Sequence, residues 1–240
     1  MLGGLPIIYG ISPLKYEVAP SHPLGSIGYT PDGRKFRYAK NNATNAMVAG
    51  TLQQASVEDT AVESIVVAAA AIGDMTVTTT GTVTVTANQY SNGYIVATGE
   101  ASTGNGYYYR IKSHPAATAA VVTFTLYDPI QVAFTATTQI DIVPNPYSGV
   151  IINPTSATSA PVGVAMNVCP ASYYTWIQTG GVGIVYADAS GAVTVGAAVT
   201  ASNQTAGCVE DGDSYTLAPI GVALTGIAQA EFGLANLRID

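Results

Sequence analysis

Apolar and polar residues alternate with a period of two along most of this chain, and that is the period of a half-buried strand. Thr76-Val77-Thr78 and Thr82-Val83-Thr84-Val85-Thr86 put valines on one face and threonines on the other. Val121-Val122-Thr123-Phe124-Thr125-Leu126 alternates again and stops at Asp128-Pro129. Asn92-Gly93 and Asn105-Gly106 predict tight hairpins, because both central positions of a type I′ turn need positive φ. They bracket strands over 94–98 and 107–111. Further strands are predicted at 35–39, 162–168, 174–178, 183–186, 193–195, 221–224 and 232–239. Turn residues fill each gap, and strands at that spacing predict an antiparallel sandwich or barrel, not βαβ units. A helix competes only over 43–57, where Gly50 and the Thr/Ser content weaken it.

Prolines divide the pattern into an all-β fold of three parts. Pro6, Pro13, Pro20, Pro23 and Pro31 interrupt the first sixty residues. Each fixes φ and removes a backbone donor, so 1–60 is expected to be an extended arm that orders on a partner. The run Val143-Pro144-Asn145-Pro146-Tyr147 and the stretch 153–161 then separate a first β domain, 61–150, from a second, 151–240.

Composition changes this picture at the surface. Charged residues make up 10% of the 240, against about 25% in typical soluble domains. Much of the surface is therefore neutral and small, which favours burial against partners. The net charge is −7, unevenly placed. Residues 1–40 hold five cations against two carboxylates, a balance of +3, leaving −10 for the rest. An acidic body argues against nucleic acid as a partner, since phosphate contacts need clustered Lys and Arg. The segment Arg34, Lys35, Phe36, Arg37, Tyr38 and Lys40 reads either as a solvated strand face or as an anchor onto an acidic protein. The longest aliphatic run, 65–72, is far short of the ~20 residues that span a bilayer, so no membrane partner is expected. The opening residues lack a basic n-region and are broken by Gly and Pro, unlike a targeting segment.

Candidate chemistry is sparse. His22 and His114 each precede proline, which places them in turns rather than in a catalytic triad. Cys169 and Cys208 lack metal spacing and read as buried thiols. Glu210, Asp211 and Asp213 form the densest acidic cluster, either a Ca²⁺ or Mg²⁺ site or an acidic turn; the spaced ligands of an EF-hand loop are missing. Gly180-Gly181-Val182-Gly183 has no following Lys-Ser/Thr and reads as a tight turn, not a phosphate loop. In Tyr107-Tyr108-Tyr109, alternation predicts that Tyr108 is buried and its neighbours point outward, although a sugar-binding groove is the other reading. No enzyme, cofactor or metal is expected.

The segments Val162-Gly163-Val164-Ala165, Tyr173 to Gly181, Ala206-Gly207-Cys208-Val209, Pro219 to Leu224 and Phe232 to Leu237 resemble a β-barrel module of tailed-bacteriophage decoration, or cement, proteins. Gly28 to Ala39 and Ala49 to Gln54 resemble the start of phage virion proteins. The resemblance implies a non-enzymatic protein, made in the host cytoplasm, that sits on the capsid exterior. It implies the major capsid protein as partner and a homo-oligomer, often a trimer. No catalytic residues carry over. The 61–143 region is larger than a minimal cement module. A tail or fibre component with glycan-binding β modules is the alternative.

Overall fold

The computed structural model describes residues 6–99, 103–212, 217 and 219–240. From the N-terminus its strands are β1 (Ile7–Tyr9), β2 (Tyr16–Glu17), β3 (Ile27–Tyr29), β4 (Lys35–Asn41) and β5 (Leu52–Gln54). The middle of the chain holds β6 (Ile65–Val66), β7 (Thr76–Thr78), β8 (Val83–Val85), β9 (Tyr94–Ala97), β10 (Tyr108–Ser113), β11 (Ala117–Ala120), β12 (Thr123–Leu126) and β13 (Gln139–Val143). Then follow β14 (Ser148–Ile152), β15 (Pro161–Ala165), β16 (Tyr174–Tyr186), β17 (Ala198–Ala201), β18 (Val209–Asp211), β19 (Gly221–Ala223) and β20 (Phe232–Arg238). The fold is all-β, with a single 3-10 turn at Thr60–Val62 among the described residues.

The chain forms two compact units, and the expected three-part division changes. Residues 58–145 make one unit; residues 5–57 and 146–240 together make the other. The first sixty residues are therefore not a separate arm. After the turn Pro31-Asp32-Gly33 the chain has a proline-free run, and β4 pairs not only with β3 but with β14 and β16, over a hundred residues away.

In the larger unit the pairings close a five-strand ring: β4 with β14, β14 with β5, β5 with β15, β15 with β16, and β16 back to β4. One apolar cluster draws on every strand of this ring or its flank, including Ala39, Ala55, Val150, Val162 and Ile177. Side chains filling a small barrel bury its interior completely. Two pairings, β1 with β3 and β4 with β14, are parallel, where antiparallel pairs were expected throughout. Beyond the ring, β16 runs on beside β20, and the sheet continues through β19, β17 and β18 around a second cluster built on Val185, Val199, Ile220 and Leu237.

The smaller unit is a sheet in the order β6-β13-β9-β10-β12-β7, beside the pair β11-β8. Its core is Ile95, Ile111, Phe124, Leu126, Ile130 and Ile140, all fully buried, together with their neighbours. The two Asn-Gly signals act differently from expectation. Asn92 takes φ of 64° and Gly106 of 79°, so only one member of each pair is left-handed. Strands β9 and β10 do pair, but through a ten-residue connection, and β8 pairs with β11 instead of β9. Gly93 serves close approach: a side chain there would run into the carbonyl oxygens of Val143 and Tyr90. Residues 43–57 form no helix and contribute β5; Val193 makes an isolated bridge to Ile227 instead of a strand.

Candidate assembly surface

The basic segment is an interior strand. On β4 the side chains of Phe36 and Tyr38 are fully buried and pack with Trp176 of β16, the Tyr38 and Trp176 rings meeting edge-on with centroids 5.1 Å apart. The Tyr38 hydroxyl donates to Glu17 Oε1 at 2.6 Å and accepts the Ser21 N–H at 3.2 Å. Burial, aided by Glu17, pushes its pKa up to about 12. The cations of the segment are occupied as well. Arg34 pairs with Asp32 at 2.7 Å. Lys35 and Arg37 both bond the Asp240 carboxylate. Burial pushes Asp240 up, but the hydrogen bonds from Arg37 and Lys35 outweigh it and hold its carboxyl below the ordinary range. Lys40 lies 5.6 Å from the Tyr174 ring centroid. As an anchoring surface the segment is corrected: period-two alternation buries the aromatics, and three of the four charges close contacts within the unit.

Exposed apolar area lies earlier in the chain. Ile7, Tyr9, Leu14, Tyr16 and Val18 are all exposed, Tyr9 to 78% and Val18 to 70%. Ile7 and Tyr9 lie on the outermost strand, since β1 pairs only with β3 in the strand order, and Tyr16 lies on β2 with Leu14 and Val18 to either side. Tyr9 stacks on Tyr29 with centroids 5.9 Å apart. β2 is pinned to β16 through Tyr16 and Glu17 against Thr175 and Tyr174. Between them the 11–15 loop borders a cleft of about 630 Å³ walled by Ile11, Pro13, Leu14, Pro31 and Met166, with Lys15 and Arg34 at its polar side. Gly28 permits this packing, because a side chain there would meet Trp176 and Ile11 at under 3 Å. An edge strand is normally blunted by charge; here the side chains at its rim are large and apolar. The sequence did carry a signal: Leu14, Tyr16 and Val18 sit at every second position, in a stretch whose prolines forbid a central strand.

The remaining sequence candidates have structural work. His22 packs 5.4 Å from Trp176 and 5.3 Å from Tyr38. His114 is buried in the other unit. Cys169 and Cys208 are buried and form no disulfide, the Cys169 thiol donating to the Pro170 carbonyl at 3.7 Å. Glu210 Oε2 accepts the Asn203 N–H at 3.2 Å and Asp211 Oδ2 accepts the Thr194 N–H at 3.1 Å, so both fasten loops; Asp213 lies outside the described residues. Among the described residues no three His, Cys, Asp or Glu gather as metal ligands. No helix among them is long and apolar enough to cross a membrane. The glycines 180, 181 and 183 form no turn. They lie inside β16 where it leaves β4 and β15 for β20, and Gly181 takes φ of 80°. In Tyr107-Tyr108-Tyr109 the parity is the reverse of expectation: Tyr109 is buried and Tyr108 is 67% exposed, because β10 starts at Tyr108 and faces Tyr109 to the core.

The arrangement leaves large apolar side chains exposed near the sheet edge. Comparison of the sequence with models of known protein families, and with curated proteins, finds no match.

Proposed function

We propose that the chain is a non-enzymatic structural virion protein that attaches to the outside of an assembled phage head and stabilises it, with the major capsid protein as its partner. The observation that carries this reading is the concentration of exposed apolar side chains within residues 7–18, namely Ile7, Tyr9, Leu14, Tyr16 and Val18, with Leu14 lining a cleft. Large contiguous apolar patches on a water-facing surface mark sites of protein association. The low charge content and the all-β build support it, as does the resemblance of the barrel segments to cement modules. In this reading the strip and Lys15 make the capsid contact. A homo-oligomer, trimeric by preference, places several such strips on the lattice at once, and avidity multiplies a weak single contact.

The test is reconstitution on purified heads that lack the polypeptide. The wild-type chain is expected to saturate them stoichiometrically. The triple change Tyr9→Ser, Leu14→Ser, Val18→Ser touches only exposed side chains and is expected to abolish occupancy while leaving the melting temperature in place. Full occupancy by the variant, or no occupancy by the wild type, would end the proposal.

A further inference from the structure

The sheet that β16 shares with β20 and β19 has one face in the core and one in water. Val185, Ala223, Ala235 and Leu237 belong to the apolar cluster, so residues of the other parity point away from it. Register sets Ile184 opposite Leu234 and Tyr186 opposite Phe232, and the Leu224 N–H bonds the Leu234 carbonyl at 2.8 Å. With Val182 these side chains make one apolar face. Val182, Leu224, Phe232 and Leu234 are exposed, Phe232 to 54% even with its ring centroid 4.5 Å from that of Tyr186.

Elsewhere the chain covers its water-facing strand positions differently. Thr76 and Thr78 face outward beside buried Val77 on β7, and Thr123 and Thr125 beside buried Phe124 on β12. A sheet with one solvated face ordinarily alternates in that way, apolar inward and polar outward. β16 and β20 depart from it. Their outward positions 182, 184 and 186, and 232, 234 and 236, are five apolar or aromatic residues and one asparagine, with no charge.

Charges stand at the two ends of β20 instead. Glu231 precedes the strand and Arg238 closes it, both exposed, roughly 23 Å apart along the strand. Neither takes part in an ion pair among the described residues.

We propose that this face pairs with the same face of a second copy of the chain, sheet on sheet about a twofold axis. In such an isologous contact a residue i that meets j is matched by j meeting i. A second β20 laid antiparallel across the first therefore brings Glu231 of each copy to Arg238 of the other, two opposite-charge pairs from one strand. Chains of net charge −7 repel one another, and they can meet where the facing surfaces carry no net charge. The six apolar and aromatic side chains expose on the order of 450 Å², about the apolar share of the ~800 Å² that each partner buries in a standard interface. Such pairing takes up the homo-oligomer part of the function proposed above, concerns the free chain in solution and does not require attachment to heads.

Sedimentation velocity of the full chain from about 1 to 100 µM tests it. The wild type is expected to move from one chain to two over this range. Leu234→Ser removes two leucines from the contact and is expected to weaken pairing about tenfold or more. Glu231→Arg and Arg238→Glu, each alone, set like charges face to face twice and are expected to weaken it about tenfold. Combined in one chain they restore opposite charges, and pairing is expected to return to within about threefold of the wild type. All four variants change exposed side chains, so their melting curves at the lowest concentration should match the wild type's. The Tyr9→Ser, Leu14→Ser, Val18→Ser variant should pair as the wild type does, which separates a failure of this contact from a failure of head attachment. A wild type still monomeric at the highest concentration overturns the proposal, as does a trimer. Pairing unaffected by Leu234→Ser, pairing lost in the 7–18 variant, or a double charge swap no better than the single ones overturns it too.

Discussion

At the scale of single residues, His114 is held in its neutral form by two opposed hydrogen bonds. Its Nε2 accepts the Tyr90 N–H at 3.0 Å while Nδ1, 2.9 Å from the Pro115 carbonyl, donates. A second proton on Nε2 would face the Tyr90 N–H directly. Burial lowers its pKa, and the bond to Pro115 offsets this only in part. The unfolded chain titrates near 6.5, so above that pH both states are neutral and the group leaves stability unchanged. Below it the unfolded state takes up a proton that the folded state refuses, and stability falls as pH drops toward the folded pKa, by at most about 1.4 kcal/mol per pH unit. His114→Gln keeps an acceptor for Tyr90 but cannot be protonated. Melting curves between pH 7.5 and 5 are expected to show a steeper loss for the wild type than for this variant; parallel slopes would refute the assignment. The Phe124 ring, 4.9 Å away, makes the site apolar enough for the effect to survive salt.

At the scale of elements, β16 has the decisive role, because one thirteen-residue strand serves both the ring and the outer sheet. It can do so only by bending where its partners change, and the glycines at 180, 181 and 183 supply the bend. Gly181 is left-handed, and a Cβ there would sit 3.2 Å from Arg34 Cα. Gly181→Ala is expected to cost roughly 1–2 kcal/mol, the penalty of a left-handed alanine plus a tight contact. The neighbouring exposed Val182→Thr should stay within about 0.5 kcal/mol. Urea titrations of both variants check this, and equal midpoints would show that the bend does not depend on glycine. The strand positions were legible from sequence because alternation is local: strands were expected at or close to 76–78, 83–85, 94–97, 123–126 and 232–238, and 174–178 and 183–186 were readable as two strands although they form one. The meaning of the glycine run and of Arg34 to Lys40 was not, since both depend on pairing between 35–41 and 174–180. That register buries Phe36 and Tyr38 and leads Lys35 and Arg37 to Asp240, a carboxylate some two hundred residues away in sequence. Local composition alone carries no trace of such contacts.

At the scale of the whole molecule, the chain is a β unit interrupted by another. The boundary near 145 was readable from Pro144 and Pro146, and the one near 58 from the start of regular alternation. That the flanking pieces belong together was not readable, because β5 and β14 become neighbours only across the intervening 58–145. Their antiparallel register, Gln54 with Ile151 and Gln53 with Ile152, brings the two ends of the interrupted unit side by side, in the manner of a hairpin with a very long loop. Loop-closure cost grows only with the logarithm of length, so shortening that loop removes little that holds the ring. Replacing 58–145 by a short Gly/Ser linker is therefore expected to leave the ring folded. Trp176 reports it cleanly: it is the single tryptophan of the chain, 5% exposed, in the core beside Phe36 and Tyr38. The shortened protein should keep a blue-shifted tryptophan emission that moves red in one cooperative urea transition near the full chain's own tryptophan midpoint. Emission already red without urea would mean that the two units fold only together. The shortened chain is also expected to hold phage heads through residues 7–18.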